Sequence, residues 1–306
     1  MTQLGSSGAL EDLAQRLVQE YWSFYPTSGS RIGRHEYDGK LPDLAPGSLR
    51  RRVEQLHRGL AQLSAINLET MDPEGQLSHR LLELFLKREN FALTEWRLLE
   101  TNPMRQVGYL NVSGYLLRDY APLDQRLGSV IEVLQQVPDF LNTLDAALGE
   151  DIGRPVLDMS IESYSGMARF YRVDLAQGVG GFSDGALLTE FSAAREAAAA
   201  AVDRFVEGLE ARARRASPSF AIGSQLYSSM LDTGEGLAVP LAELVALGQA
   251  NLESNLEQLA EAGNDRSRAG SQGNRRRHRP EPPHRRGVDP GHPGHAGRDP
   301  PGTDRP

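Results

Sequence analysis

Leu49, Val53, Leu56, Leu60 and Leu63 advance by alternating steps of four and three, which places five apolar side chains on one face of a helix. The same period recurs along most of the chain. Leu13, Leu17 and Tyr21 predict a first helix over about Leu10–Phe24, ended by Pro26. Leu77, Leu81, Leu84, Phe91 and Leu98 share a face after Pro73, and Asn102-Pro103 breaks that run. Leu123, Leu127, Val130, Leu134 and Val137 continue as Leu141, Leu144 and Leu148, interrupted by Pro138, and predict two helices or one kinked helix. Further helices are expected over about 154–176, over the Ala-rich stretch 187–215, and near 222–231. Leu237, Leu241, Leu244, Leu252, Leu256 and Leu259 predict a last one. No sustained β alternation and no fixed-period repeat occurs. The pattern predicts an all-α body of long packed helices.

The pattern stops near Gly263. The 43 residues from Asn264 to Pro306 contain 10 Arg, 8 Pro, 7 Gly and 4 His, a single Val, and no Leu, Ile, Met or aromatic residue. Such a segment cannot bury enough apolar surface to offset its ordering entropy, so 264–306 is expected to be a disordered tail behind a helical domain at 1–263. GC-rich DNA read out of frame yields this composition, and only Lys40 and Lys87 are lysine among 33 basic residues. A frameshift near residue 263 is therefore the expected origin of the tail.

The net charge of −8 hides two unlike parts: the tail carries +5 and the body −13, with 23 basic against 36 acidic residues. An acidic body argues against generic binding to nucleic acid or anionic membrane, and neither partner is expected. The absence of Cys removes disulfides, thiolate nucleophiles and Cys-based zinc sites together. The first ten residues lack a basic and an apolar region, and no stretch approaches a membrane span, so a cytoplasmic protein is expected.

Sharper chemistry is scarce. His35-Glu36 lacks a second His one helical turn later, because residue 39 is Gly, so it does not make a zinc pair. His57 and His79 stand alone on helices. Glu253 and Glu257 read as a solvated helix face. The glycines at 178, 180 and 181 follow no strand and make no dinucleotide loop. The tail's Arg275, Arg276, Arg277 and Arg279 have no aromatic neighbours for base stacking, and its four His are taken with the tail's composition rather than as a metal site. No catalytic and no metal-binding residue is assigned.

Two polar, Gly-containing segments interrupt the apolar pattern. One is the loop from Thr27 to Pro46, with Arg31, Arg34, His35 and Glu36. The other runs from Asn102 to Tyr120, where Asn111, Arg118 and Asp119 alternate with Tyr109, Tyr115 and Tyr120. Aromatics mixed with a few polar groups suit a cleft wall, and equally a buried polar network that fixes helix packing. The two segments are expected to pack together, with those seven charged and polar residues as substrate-binding candidates.

The run from Pro26-Thr27 through Gly33-x-His35-x-Tyr37-Asp38 to Leu41-x-Asp43 and Pro46 resembles the opening of a widespread bacterial family, the domain-of-unknown-function family numbered eight-eight-five. Asn111-Val-Ser, Arg118-Asp-Tyr-Ala-Pro122 and the Leu237–Leu259 stretch are similar to the same family. The resemblance covers most of residues 10–262. It implies a long helical protein that looks like a zinc metallopeptidase, with a His-Glu-Ala-Tyr-Pro-Gly-His metal motif beyond the matched segment. This chain lacks that motif, and Pro293-Gly294-His295 has no His-Glu before it. The resemblance thus implies an N-terminal part, inactive alone, with zinc expected only in a full-length relative. A peptide-like substrate follows only if the missing half is supplied, whether in the same chain or by a second one. The rival reading is a helical interaction or scaffold protein with a basic tail.

Overall fold

Prolines open the elements. Pro26, Pro46 and Pro73 each occupy the first position of a helix, where the missing N–H has no intrahelical partner to lose. The structure, a computed structural model, describes residues 3–180 and 182–277. Its helices are α1 (Gln3–Phe24), α2 (Pro26–Arg31), α3 (Pro46–Ser64), α4 (Pro73–Thr94), α5 (Leu98–Thr101), α6 (Met104–Val107), α7 (Ser113–Leu117), α8 (Leu123–Ala147), α9 (Arg154–Arg172), α10 (Asp174–Gln177), α11 (Gly185–Ala213), α12 (Ser224–Glu235) and α13 (Leu241–Arg277). Single 3-10 turns lie at His35–Tyr37, Leu68–Thr70 and Gly108–Leu110. Among the described residues there is no strand, so the fold is all-α as the pattern predicts.

The chain divides after Leu241. In the first unit α11 packs along both α8 and α9. Ala194, Ala198, Ala199 and Ala201 are buried there between Phe191, Val202, Phe205 and Leu209, so the Ala-rich composition serves close helix approach as well as propensity. Pro138 does not split α8; the helix continues through it, and only the carbonyl four residues earlier loses its N–H donor. A second core joins Leu10, Leu13 and Leu17 of α1 to Leu56 and Leu63 of α3 and Leu86 of α4.

Beside this second core a charged pair is buried. Arg52, 1% exposed, donates Nε and Nη2 to the two carboxylate oxygens of Glu89 at 2.7 and 2.6 Å, tying α3 to α4. Its guanidinium also lies 6.0 Å from the Tyr21 ring centre and 5.8 Å from that of Phe24.

Several expectations are corrected. The segment after Pro26 contains a six-residue helix, α2, rather than loop alone. Its glycines act just outside: Gly33 and Gly39 take φ of +90° and +74°, which L side chains resist. In α4, Leu77 and Leu81 face out at 59% and 58% exposure, and the inward positions are His79, Leu86 and Phe91. Leu98 leaves that helix because Arg97 turns left-handed at φ +51°. Leu237 is not in the last helix. Gly236 caps α12 at φ +66°, its N–H and that of Leu237 bonding back to Asp232 and Leu231, and α13 starts after Pro240.

The second unit, as described, is α13. Its Leu252, Leu256 and Leu259 are 58%, 56% and 69% exposed. Residues 264–277 of the expected tail continue this helix, in a stretch with no proline before Pro280. Residues 278–306, with all four tail histidines, lie outside the described residues.

Removing one member of the buried pair strands the other. Glu89→Ala is expected to destabilise the fold by about 3–5 kcal/mol, whereas the paired apolar replacement Arg52→Met with Glu89→Leu is expected to lose far less. Urea unfolding of the three proteins reads this directly.

Candidate functional site

Both polar segments are held by buried side chains of long helices. From α9, the hydroxyl of Tyr164 donates to the Pro103 carbonyl at 3.0 Å and that of Tyr171 to the Leu110 carbonyl at 2.7 Å. Burial pushes both phenols well above the ordinary tyrosine range. From α8, Arg126 is only 7% exposed. It donates to the carbonyls of Ala121 at 2.6 Å, Tyr115 at 2.9 Å, Arg118 at 2.9 Å and Leu116 at 3.3 Å, and to the Asp119 carboxylate at 3.1 Å. The segment's backbone acceptors are thereby satisfied without a regular ladder.

The loop is clasped to the same helix and to this segment. Gln136 of α8 donates to the Gly39 carbonyl at 2.6 Å and accepts from the Leu41 N–H at 3.1 Å. The Tyr115 hydroxyl accepts from the Gly39 N–H at 3.2 Å and donates to the Ser30 hydroxyl oxygen at 3.3 Å, whose own proton goes to Asp38. Asp38 gathers three partners: the Ser30 hydroxyl, the Tyr120 hydroxyl at 2.7 Å and His35 Nδ1 at 3.0 Å. Burial first, then donation to Asp38 and its charge, push the Tyr120 phenol well above its usual range. The His35 ring stacks on Tyr120, centres 3.7 Å apart and 6° from parallel. Arg118 donates to the Arg31 carbonyl at 2.6 Å, and Arg31 to that of Gly108.

Between the clasped segments lies a pocket of about 280 Å³. Arg31, His35, Asn111 and Arg118 line it, with Thr27, Ser30, Ser113, Tyr109, Tyr115 and Tyr120. The Thr27 hydroxyl is buried there without a hydrogen-bond partner among the described residues. Asn111 accepts from the Ser113 N–H at 2.9 Å, which fixes the start of α7. Of the seven candidates, the structure therefore brings four together. Arg34 and Glu36 lie outside the pocket lining and pair with each other at 2.8 Å, with Arg34 also 5.2 Å from the Trp22 ring centre. Asp119 points to solvent, its side chain 95% exposed, and serves Arg126.

The pattern reading missed Ser30, Asp38, Gln136 and Arg126. Arg126 was legible in principle: it shares a helical face with Leu123 and Val130, so an arginine interrupts an inward stripe. No signal in the sequence marks Ser30 or Gln136. His79 is a core histidine, its Nε2 at 2.9 Å from the Leu63 carbonyl. Among the described residues no group of three or more His, Cys, Asp or Glu side chains converges as a metal site, and His35 Nδ1 is engaged by Asp38. No step through a metal is assigned to this chain.

Two outcomes follow. Arg126→Met removes the guanidinium donor from the carbonyls of Tyr115, Leu116, Arg118 and Ala121, and a loss of roughly 3 kcal/mol is expected from several charged hydrogen bonds partly replaced by water; denaturant unfolding measures it. Burial also pushes the Tyr109 phenol up to about 12, against 10.0 for the free group. The folded state then holds a proton that the unfolded state releases, so this stability is complete below pH 10 and lost as pH rises through 12. Tyr109→Phe should flatten that part of the alkaline unfolding curve.

The sequence profile of the family described as "Bacterial protein of unknown function (DUF885)" matches residues 26–286. No curated protein matches. A solved structure from Shewanella oneidensis, described as a "putative lipoprotein of unknown function", superimposes with a TM-score of 0.72 at 17% identity. The match covers 80% of this chain and 46% of that one, so this chain spans less than half the length of its structural neighbour. At that identity the likeness shows the fold alone. The profile match extends over most of the chain, and the protein belongs to the DUF885 family of bacterial proteins of unknown function.

Proposed function

We propose that this chain is the substrate-side part of a peptidase-like protein, that its pocket receives a peptide-like ligand, and that it has no hydrolytic centre of its own. The observation that carries the reading is the pocket between the Thr27–Pro46 loop and the 102–121 segment. It combines two guanidinium groups, the stacked face of His35 and Tyr120, and a buried Thr27 hydroxyl with no partner among the described residues. Peptide groups present carbonyls to the cations, a donor or acceptor to the hydroxyl, and flat surface to the stacked rings. The coverage of 46% of the structural neighbour supports placing the remaining machinery outside the matched segment.

A frameshift near residue 263 belongs to this proposal and rests on the composition of the tail. The gene tests it: another frame beyond codon 263 should read His-Glu followed by His after four intervening residues. A second reading, a helical interaction protein with a basic tail of its own, is favoured by one observation: the family match runs on to residue 286. Cytoplasmic residence is likewise part of the proposal. Among the described residues no helix is long and apolar enough to cross a membrane. Cell fractionation separates this from an envelope location.

The binding proposal is tested by titration calorimetry of the whole chain with tri-alanine. Saturable binding is expected, and Arg118→Gln should weaken it about tenfold, the loss of one charged hydrogen bond of about 1.5 kcal/mol. Absence of binding, or equal affinity in the variant, would contradict the reading.

A further inference from the structure

A second pocket, of about 520 Å³, lies on the other side of Tyr109. The rings of Tyr21, Tyr25, Phe85 and Tyr109 line it, together with Leu81 and Leu84 of α4. These rings form one continuous group: Tyr21 sits 4.9 Å from Tyr25 and 5.0 Å from Phe85, and Tyr25 stacks on Tyr109 at 6.2 Å. The exposure of Leu81, unexpected for an α4 core stripe, and of its neighbour Phe85 is accounted for by this lining.

The polar groups of this pocket are unequally used. Glu89 is consumed by Arg52. By contrast, Arg88 and Arg105 line the pocket exposed, and neither guanidinium makes a hydrogen bond or ion pair among the described residues. The hydroxyls of Tyr21, Tyr25 and Tyr109 also have no hydrogen-bond partner among the described residues. Two free guanidinium forks and three free phenol donors around an aromatic floor form a set of donors that makes no hydrogen bond to an acceptor among the described residues. Glu235 at the end of α12 is the opposing charge on the rim and makes no ion pair among the described residues.

We infer that this pocket is a second binding site, for an aromatic oxyanion: an aryl group seated among Tyr21, Tyr25 and Phe85, with a carboxylate or phosphate head held by Arg88, Arg105 and the phenol hydroxyls. Arginine forks match both heads in a bidentate manner. The phenols suit this role as neutral donors. Burial holds Tyr25 and Tyr109 protonated well beyond neutral pH, and the site stays a donor site throughout the physiological range. Glu235 sets the affinity from the other side, as a like charge near the head group. The site is distinct from the pocket of His35 and Arg118; Tyr109 lines both.

The test is titration calorimetry of the whole chain with N-acetylphenylalanine, phenyl phosphate and the neutral N-acetylphenylalaninamide. At least one anion is expected to bind about tenfold more tightly than the amide, and the stronger one names the head group. Arg88→Gln with Arg105→Gln, both at exposed positions, should abolish that preference. Glu235→Gln should tighten anion binding, and Thr27→Val, which alters the first pocket without breaking a hydrogen bond that holds it, should leave anion binding unchanged, which separates the two sites. Binding of both anions no tighter than that of the amide would overturn the inference. So would no saturable binding by either anion, unchanged anion binding in the double arginine variant, or its loss in Thr27→Val.

Discussion

A single buried guanidinium holds the wall of the pocket in place. The stretch from Tyr115 to Ala121 has a single helical turn at its start and then no regular ladder, so its carbonyls need donors from elsewhere. Arg126 meets four of them at once from a rigid helix whose neighbouring residues, Leu127, Val130 and Leu134, are fully buried. The irregular segment inherits the rigidity of α8. Arg118, leaving the same segment, then fixes the loop through the Arg31 carbonyl, and Gln136 fixes its far end through Gly39 and Leu41. An arginine suits this role because its five donors spread in a planar fork.

The rest of the first unit supports that arrangement from two sides. The α8–α9–α11 core supplies the hydroxyls of Tyr164 and Tyr171 behind the 103–110 stretch. The α1–α3–α4 core, tied by Arg52 and Glu89, carries Tyr21, Phe24 and Tyr25 toward the same region. Tyr109 lies between the two, stacked on Tyr25 and edge-on to Phe140 of the larger core. Polar, irregular segments lying where two apolar cores meet are a common way to build a binding pocket, since neither core can close over the gap.

Apolar periodicity reveals the helices because it reports burial, and burial is what the helices share. It misplaced the inward face of α4, since Leu77 and Leu81 keep the period yet line no core, and it carried Leu237 into a helix that Gly236 has already ended. The polar loops were recognisable by what they lack. Their meeting was inferable, and Arg118, which bonds to the Arg31 carbonyl, was among the candidates, but most of the residues that join them were not. Ser30, Asp38 and Gln136 act through hydrogen bonds between side chains or loops separated by up to 97 residues, and such pairings leave no periodic trace in one sequence. The family resemblance was legible for the opposite reason: its residues cluster in the two irregular segments, where turn geometry restricts choice.

The central claim is that the loop of residues 27–46 and the segment of residues 102–121 form one ligand pocket. Amide chemical-shift mapping of the isotope-labelled whole chain, titrated with tri-alanine, tests it most directly. The account predicts saturable shifts in both segments together, centred on Ser30 to Gly39 and on Asn111 to Tyr120, with α11 silent. Shifts confined to one segment, shifts elsewhere in the fold, or no shifts at all would contradict it.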